Sequence, residues 1–486
     1  MTEVAIKAEA IEIEAKVKKL TLIWTGLTFV LFPILGLLGF LMRFVQSNIF
    51  PAFPPEWFYS ILTLHGVGMV GLWYVEGMTA VIYLLSKYVK PNTAVSWFSF
   101  ALTLVGVALI IISTIGGKFG AGWYFLYPLP YKSAEIWSNW ATDFYLIGLG
   151  ILGIAWTVWV IDVLRAIAQR YSLNQALAWH YLAGKVEPET PPIILIVTVS
   201  CIAAITGFLA AVALLLLFLF DRVSGTPADP LLMKNLVFYF GHVLVNITMY
   251  LGVAILYEVL PQYTQRPWKT NKLVAFAWNT VLFLVLFAYF HHLYMDFVQP
   301  KAFQIIGQFA SYFISVPAAV VTIFSALAMI YRTKVNWTLG SSLVFLGTMG
   351  WAVGGVAAVI DSSIAVNFRF HNTLWVPAHF HTYFLMGVVL MILGFIYHFS
   401  QEHSKIPDNS KLARLTLWLI LIGGYGFLSM FYTGGALFVP RRYALYPSTF
   451  SAGVTIAQIS IVFVSILTIG LLLYLIQTIR RWARSF

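Results

Sequence analysis

Charge and cysteine are both scarce in this chain. Only 10% of its 486 residues are Asp, Glu, Lys or Arg, against about 25% in a soluble domain. So little polar material cannot keep a soluble protein of this size dissolved. A single cysteine, Cys201, lies inside an apolar run. It excludes an internal disulfide, a CxxCH haem attachment and a cysteine-ligated cluster, so any metal chemistry must rest mainly on histidine. Acidic residues are fewer than basic ones, 18 against 29, for a formal charge of +11. Basic residues of membrane proteins collect in cytoplasmic loops, which accounts for this excess without nucleic acid. No cleavable signal peptide is visible. Lys16, Lys18 and Lys19 stand beside several glutamates, and the apolar run after them is too long for a signal core. The start reads as an amphipathic cytoplasmic lead-in.

What the chain has is apolar length. Hydrophobic residues make up 60% of it, and runs such as 21–45 and 193–220 exceed the roughly 20 residues that cross a bilayer. Twelve such segments separate at turn-forming or charged stretches, at about 20–45, 58–87, 95–117, 139–168, 191–220, 233–260, 272–296, 303–331, 337–360, 373–399, 412–438 and 452–479. Backbone groups in lipid must pair internally, so these segments are expected to be helices. There is no soluble domain, low-complexity tract or sequence repeat. With the N-terminus inside, 20 of the 29 Lys and Arg fall on inside segments, which places both termini in the cytoplasm. The expectation is an all-α membrane protein, one polytopic domain over 1–486, in a prokaryotic cell (inner) membrane. Arg441 and Arg442 are outside charges that need their own explanation.

The ten histidines are not scattered. His180, His398 and His403 fall in or beside inside loops, and His371 in an outside loop. His65, His242, His291, His292, His379 and His381 lie within apolar segments, where an ionisable residue is by default a functional one. Segments two, six and ten enter from outside and carry four of the six in their first halves. Segment seven enters from inside and carries His291 and His292 near its outer end. All six therefore share one depth in the outer half of the bilayer. His379 and His381, two apart, differ by about 200° on a helix and face opposite sides, while His291 and His292 differ by about 100°. Imidazole suits copper and haem iron. The simplest partition is a six-coordinate haem between His65 and His381, a five-coordinate haem on His379, and copper on His242, His291 and His292.

The stretches LTLHGVGMVG, FYFGHVLVN, YFHHLYMDFVQP, FHNTLWVPAHFHTYF and FVPRRYALYP resemble the catalytic subunit I of the haem–copper oxidase superfamily, most of all its B-type branch. They run from the second segment to the end of the eleventh. The resemblance implies a subunit I-like bundle and the same partition: a low-spin haem on His65 and His381, a high-spin haem on His379, and the copper called Cu-B on the other three. It implies that Arg441 and Arg442 bind haem propionates, for which guanidinium forks are suited. It places His371 and Asp296 beside the propionates and the water exit. Tyr257, fifteen residues after His242, matches a tyrosine of the B-type proton pathway. The hydroxyl residues expected after Val316 and Pro317 are replaced by Ala318 and Ala319, with Thr322 and Ser325 as substitutes. Glu258, Glu76 and Asp143 are acids placed either to carry protons or to pair structurally. One cysteine leaves no copper site for electron entry, so a second subunit with an outside electron-entry domain is implied, served by cytochrome c or a cupredoxin. Haem a and haem b are not distinguished.

One departure from the pattern bears on the reaction. Most oxygen-reducing members carry a tyrosine four residues after the first copper histidine; here that position is Asn246. Another branch supplies it from the seventh segment, where 281–288 holds none. Tyr289 is about 200° from His291 and is expected to face away. Joining two NO into N2O needs no such tyrosine, and a neutral amide offers no carboxylate for non-haem iron, so copper is kept. The resemblance is then to tyrosine-lacking nitric-oxide reductases of the B-type branch, with Asn246 in the catalytic set and terminal oxygen reduction to water as the alternative. A twelve-helix secondary transporter is the reading from another class. It lacks support, since neither inverted repeats nor broken helices are seen.

Overall fold

A computed structural model describes the backbone from Glu3 onward and the side chains from Glu14 onward. Among the described residues, twelve helices are long and apolar enough to cross a membrane. They are α1 (Glu3–Gln46), α2 (Pro55–Leu85), α3 (Thr93–Gly116), α4 (Asn139–Ala168), α5 (Pro192–Ser224), α6 (Pro230–Thr264), α7 (Lys272–Leu293), α8 (Lys301–Ile330), α9 (Leu339–Asp361), α10 (Trp375–Ser404), α11 (Ser410–Ala436) and α12 (Ala452–Ala483). Among the described residues there is no strand, only an isolated bridge between Thr373 and Pro440. Several helices begin where the sequence supplies a start. Asn92, Asn271 and Asn409 accept from backbone N–H groups of the first turns of α3, α7 and α11, as Asp229 does for α6. Pro55, Pro192 and Pro230 open α2, α5 and α6, where a missing N–H costs nothing.

Sequential helices pack as pairs, with α1 along α2, α3 along α4, α5 along α6, α7 along α8 and α11 along α12. In α6, α10 and α2 the apolar windows are 89%, 78% and 72% buried, against 28% in α8 and α12. The three most enclosed helices are those that carry His242, His379 with His381, and His65. Lipid therefore faces the outer helices, and the histidines stand in the middle of the bundle. α9 crosses α10 at a distance only glycine permits: a Cβ on Gly350 would lie 1.9 Å from the Met386 carbonyl oxygen.

Two local departures from α-helix fall at the histidines. The outer end of α7, Tyr289–Leu293, is a 3-10 turn. His291 and His292 are thus about 120° apart, not the 100° of an α-helix. In α10 a π-turn at Phe384–Val389 begins three residues after His381 and sits in the crossing with α9, where Gly387 packs on Trp351. Such turns are frequent at functional sites.

Candidate metal and haem site

One cavity of about 710 Å³ opens between the central helices, and all six intramembrane histidines line it. At one end His242 of α6 meets His291 and His292 of α7. Their ring centroids lie 5.0, 5.5 and 4.1 Å apart, and each offers one nitrogen within 4.8 Å of the other two. Three imidazoles converging at this range are a copper- or zinc-type donor set. The hydrogen bonds around His291 fix its tautomer. Ser311 of α8 donates its hydroxyl to the Gly307 carbonyl at 2.6 Å, so at 2.8 Å it accepts from His291 Nδ1. Nδ1 then carries the proton and Nε2 keeps its lone pair for a metal. His379 of α10 lines the same cavity, 5.9 Å from the Tyr383 ring, and its Nδ1 is buried without a partner.

His381 faces the other way, against Phe427 and Phe431 of α11 at 5.9 and 5.7 Å. Its Nδ1 bonds the Pro377 carbonyl at 2.7 Å, and His65 Nδ1 bonds the Leu35 carbonyl at 2.8 Å. A carbonyl only accepts, so both histidines carry the proton on Nδ1 and present an unprotonated Nε2. Two such imidazoles would suit the iron of one haem, with His65 and His381 as the residues that hold it. Space for the His65 ring comes from Gly39 of α1, where a Cβ would fall 2.7 Å from His65 Cε1. Phe380 points between the two centres, stacked on Phe384 at 5.2 Å and 6.5 Å from Trp123.

The rim of the cavity is basic. Arg441 and Arg442 both line it. Arg441 Nη2 donates to Asn372 Oδ1 at 2.9 Å, and Arg442 stacks over the Tyr124 ring at 4.2 Å. Among the described residues neither guanidinium pairs with a carboxylate, which leaves two half-buried cations facing an apolar cavity. That suits an anionic ligand such as a propionate. His371 lines the same rim, and its pKa is pushed down to about 4, first by burial and then by Arg441 and Lys234, with Asp296 opposing. Asp296 is held by Lys234 at 2.7 Å. The segment 117–138 brings Trp123 and Tyr124 onto this rim, which nothing in hydropathy indicated.

The remaining candidates separate into working and structural surroundings. Tyr257 and Thr322 meet at 2.8 Å in the buried interior. Glu258 faces elsewhere and accepts from Tyr88 at 3.1 Å. Ser325 is not part of the Tyr257–Thr322 contact. Glu76 takes hydroxyl bonds from Thr25 and Thr28 at 2.8 and 2.7 Å. Asp143 accepts from Tyr131 at 2.8 Å and pairs with Arg222, a structural arrangement. Tyr289 bonds Asn235 at 3.2 Å and does not line the cavity. Asn246 lines it, its Nδ2 3.1 and 3.2 Å from the two ring nitrogens of His242. Sequence reasoning missed Tyr250, whose hydroxyl donates to Asn246 Oδ1 at 3.2 Å. The signal was present: 242, 246 and 250 share one helix face.

A family model described as cytochrome c and quinol oxidase polypeptide I matches residues 19–482. The chain belongs to this family, subunit I of the haem–copper oxidases. The subunit is similar to cytochrome c oxidase subunit 1 of Synechocystis sp., 25% identical over 443 residues that cover 87% of this chain and 76% of the relative. Likeness to the Thermus thermophilus protein of the same name is 25% over 84% of this chain and 71% of the relative. For that of Corynebacterium diphtheriae it is 26% over 94% and 80%. A heme-copper terminal oxidase dimer solved by cryo-electron microscopy shares the fold, with a TM-score of 0.76 at 20% identity over 96% of this chain and 84% of that one. These relatives are named as oxidases. They weigh toward the oxygen-reducing alternative, and none of them speaks for a B-type or nitric-oxide-reducing branch.

Proposed function

We propose that this subunit is the catalytic chain of a terminal oxygen reductase in a prokaryotic cell membrane, both termini on the cytoplasmic side. The observation that carries the reading is the partition of six imidazoles along one cavity, in a family whose relatives are named cytochrome c oxidase. His65 and His381 would hold a low-spin haem, His379 a high-spin haem, and His242, His291 and His292 a copper ion. When bound, these groups supply electron transfer and the reduction of a small oxygen-bearing molecule. The protein's part is to orient and to insulate. Backbone carbonyls and Ser311 set the imidazole tautomers, and Arg441 and Arg442 hold carboxylates at the rim. Tyr257 and Thr322 hold exchangeable protons on the inner side of the site. Electrons enter through a second subunit with an outside domain, from cytochrome c or a cupredoxin.

Nitric-oxide reduction is the second reading, and Asn246 favours it. An amide occupies the place beside His242 where a phenol would serve O–O cleavage, whereas forming N2O from two NO needs only two electrons and two protons. Against it stands Tyr250, a phenol one amide away from His242, which weakens the inference drawn from Asn246 alone. The test is the purified complex supplied with electrons under oxygen, and separately under anaerobic NO. Rapid four-electron uptake of oxygen to water with little N2O is expected. Fast N2O formation with negligible oxygen uptake would overturn the oxygen reading and leave the family assignment intact.

A further inference from the structure

The loop before α4 reaches into the bundle at one point. Gly122 adopts a φ of +94°, a left-handed conformation that favours glycine. Its N–H donates to Thr63 Oγ1 of α2 at 2.9 Å in the buried interior. Gly120 sits against Tyr59 of α2, where a Cβ would come within 3.0 Å of that side chain. The loop is thereby pinned along the outer turns of α2, and the residue that follows, Trp123, lines the cavity.

Two glycines receive the indole. A Cβ on Gly66 of α2 would lie 2.9 and 3.2 Å from Trp123 Cδ1 and Cγ, at the pyrrole edge of the ring. A Cβ on Gly241 of α6 would lie 3.3 and 3.5 Å from Cζ3 and Cη2, at the benzo edge. The ring therefore spans the gap between α2 and α6 from edge to edge. Gly66 follows His65 directly, and Gly241 directly precedes His242. Phe380, which stands between His379 and His381 on α10, faces the same ring at 6.5 Å. A rigid ring seated on glycine at both ends fixes the separation of what it touches, because a close-packed interior transmits displacement instead of absorbing it. We propose that Trp123 is a positioning residue, a wedge that sets the spacing between His65 and His242 and so between the low-spin and copper centres. This inference rests on the metal reading of those histidines and holds whether O2 or NO is the natural substrate.

The test uses the fully assembled complex. Carbon monoxide is flashed off the half-reduced protein, and the return of the electron between the low-spin centre and the other is followed optically. Gly66→Ala presses a methyl on the indole, widens the gap and slows this exchange several-fold. Trp123→Ala leaves the gap without a fixed width. Exchange then splits into several phases and the electron-paramagnetic-resonance line of the low-spin haem broadens, while haem and copper contents stay as in wild type. Trp123→Phe, whose single ring leaves the Gly241 edge unfilled, carries the same expectation where the alanine variant does not assemble. Gly122→Ala is strained at its φ and changes no atom of the indole, yet it reproduces the splitting. Once Trp123 is alanine, Gly66→Ala adds nothing, because the ring its methyl meets is gone. Single-phase exchange at the wild-type rate in the Trp123 and Gly122 variants overturns the inference. So does a Gly66→Ala effect that persists in full without the indole, since it then acts on His65 directly. A wild-type complex devoid of haem or copper overturns the metal reading instead.

Discussion

Ser311→Ala isolates one hydrogen bond that acts on a single copper-side imidazole. Ser311 holds the proton of His291 on Nδ1 by accepting at 2.8 Å, and is itself fixed by donation to Gly307. Without the hydroxyl, the metal-free ring is free to change tautomer or rotate toward another partner. The metal-bound ring is not free: Nε2 must face the metal, and Nδ1–H loses its 2.8 Å acceptor and keeps only the Ala288 carbonyl. The cost therefore falls on metal binding, where loss of a hydrogen-bond partner from a buried donor is worth about 1–3 kcal/mol. At about 1.4 kcal/mol per decade, copper affinity should fall roughly 5- to 150-fold, in line with the 10–100-fold typical of lost outer-shell partners. Competition with a graded series of copper chelators measures this directly. Ser311→Thr, which keeps the hydroxyl, should restore most of the affinity. Unchanged copper affinity in Ser311→Ala would refute the claim that the α8 hydroxyl sets the His291 tautomer.

Two further variants probe the haem side. His65→Ala and His381→Ala should each abolish the low-spin haem bands in a reduced-minus-oxidised spectrum while the chain still inserts and the copper histidines are untouched; intact low-spin bands in both would sink the axial assignment. Gly39→Val places side-chain carbon where the His65 ring lies, since even a Cβ would be 2.7 Å from Cε1. It should weaken or remove the low-spin haem without touching a ligand, and a wild-type spectrum from that variant would show that α1 yields instead.

The twelve helices were readable in the sequence because lipid leaves the backbone no alternative and because length and apolarity report it directly. The histidine positions were readable for the same reason: an imidazole in a membrane is rare enough to be noticed. What was hidden depends on one-residue changes of register or on distant packing. The 3-10 end of α7 moves His292 relative to His291, and no periodicity over a few residues reveals it. The π-turn after His381 is set by the close crossing of Gly350 on α9 with Met386, a contact between residues 36 positions apart. Trp123 and Tyr124 reach the cavity from a loop whose hydropathy marks it only as outside. Asn246 is legible because it replaces an expected tyrosine, whereas Tyr250 lies one turn further along the same face and departs from no pattern.

Tyr250 also limits how far the relatives' chemistry transfers. Eight residues along an α-helix is a rise of about 12 Å, so the phenol of Tyr250 cannot stand beside the His242 imidazole as a residue four positions on could. Its hydroxyl ends instead on the amide oxygen of Asn246, and the amide nitrogen faces the ring. An amide in this orientation passes polarity along the helix face but is a poor carrier of protons, since it would have to adopt its imidic tautomer. The Tyr250 hydroxyl has Asn246 Oδ1 as its hydrogen-bond acceptor, so the phenol is placed one amide away from the histidine and has no direct contact with it. If this subunit couples NO, the phenol has no redox part to play, and the trio is a packing and hydrogen-bonding arrangement along one helix face. An oxidised Tyr250 trapped during turnover would therefore weigh for oxygen chemistry, since coupling two NO makes no demand on the phenol.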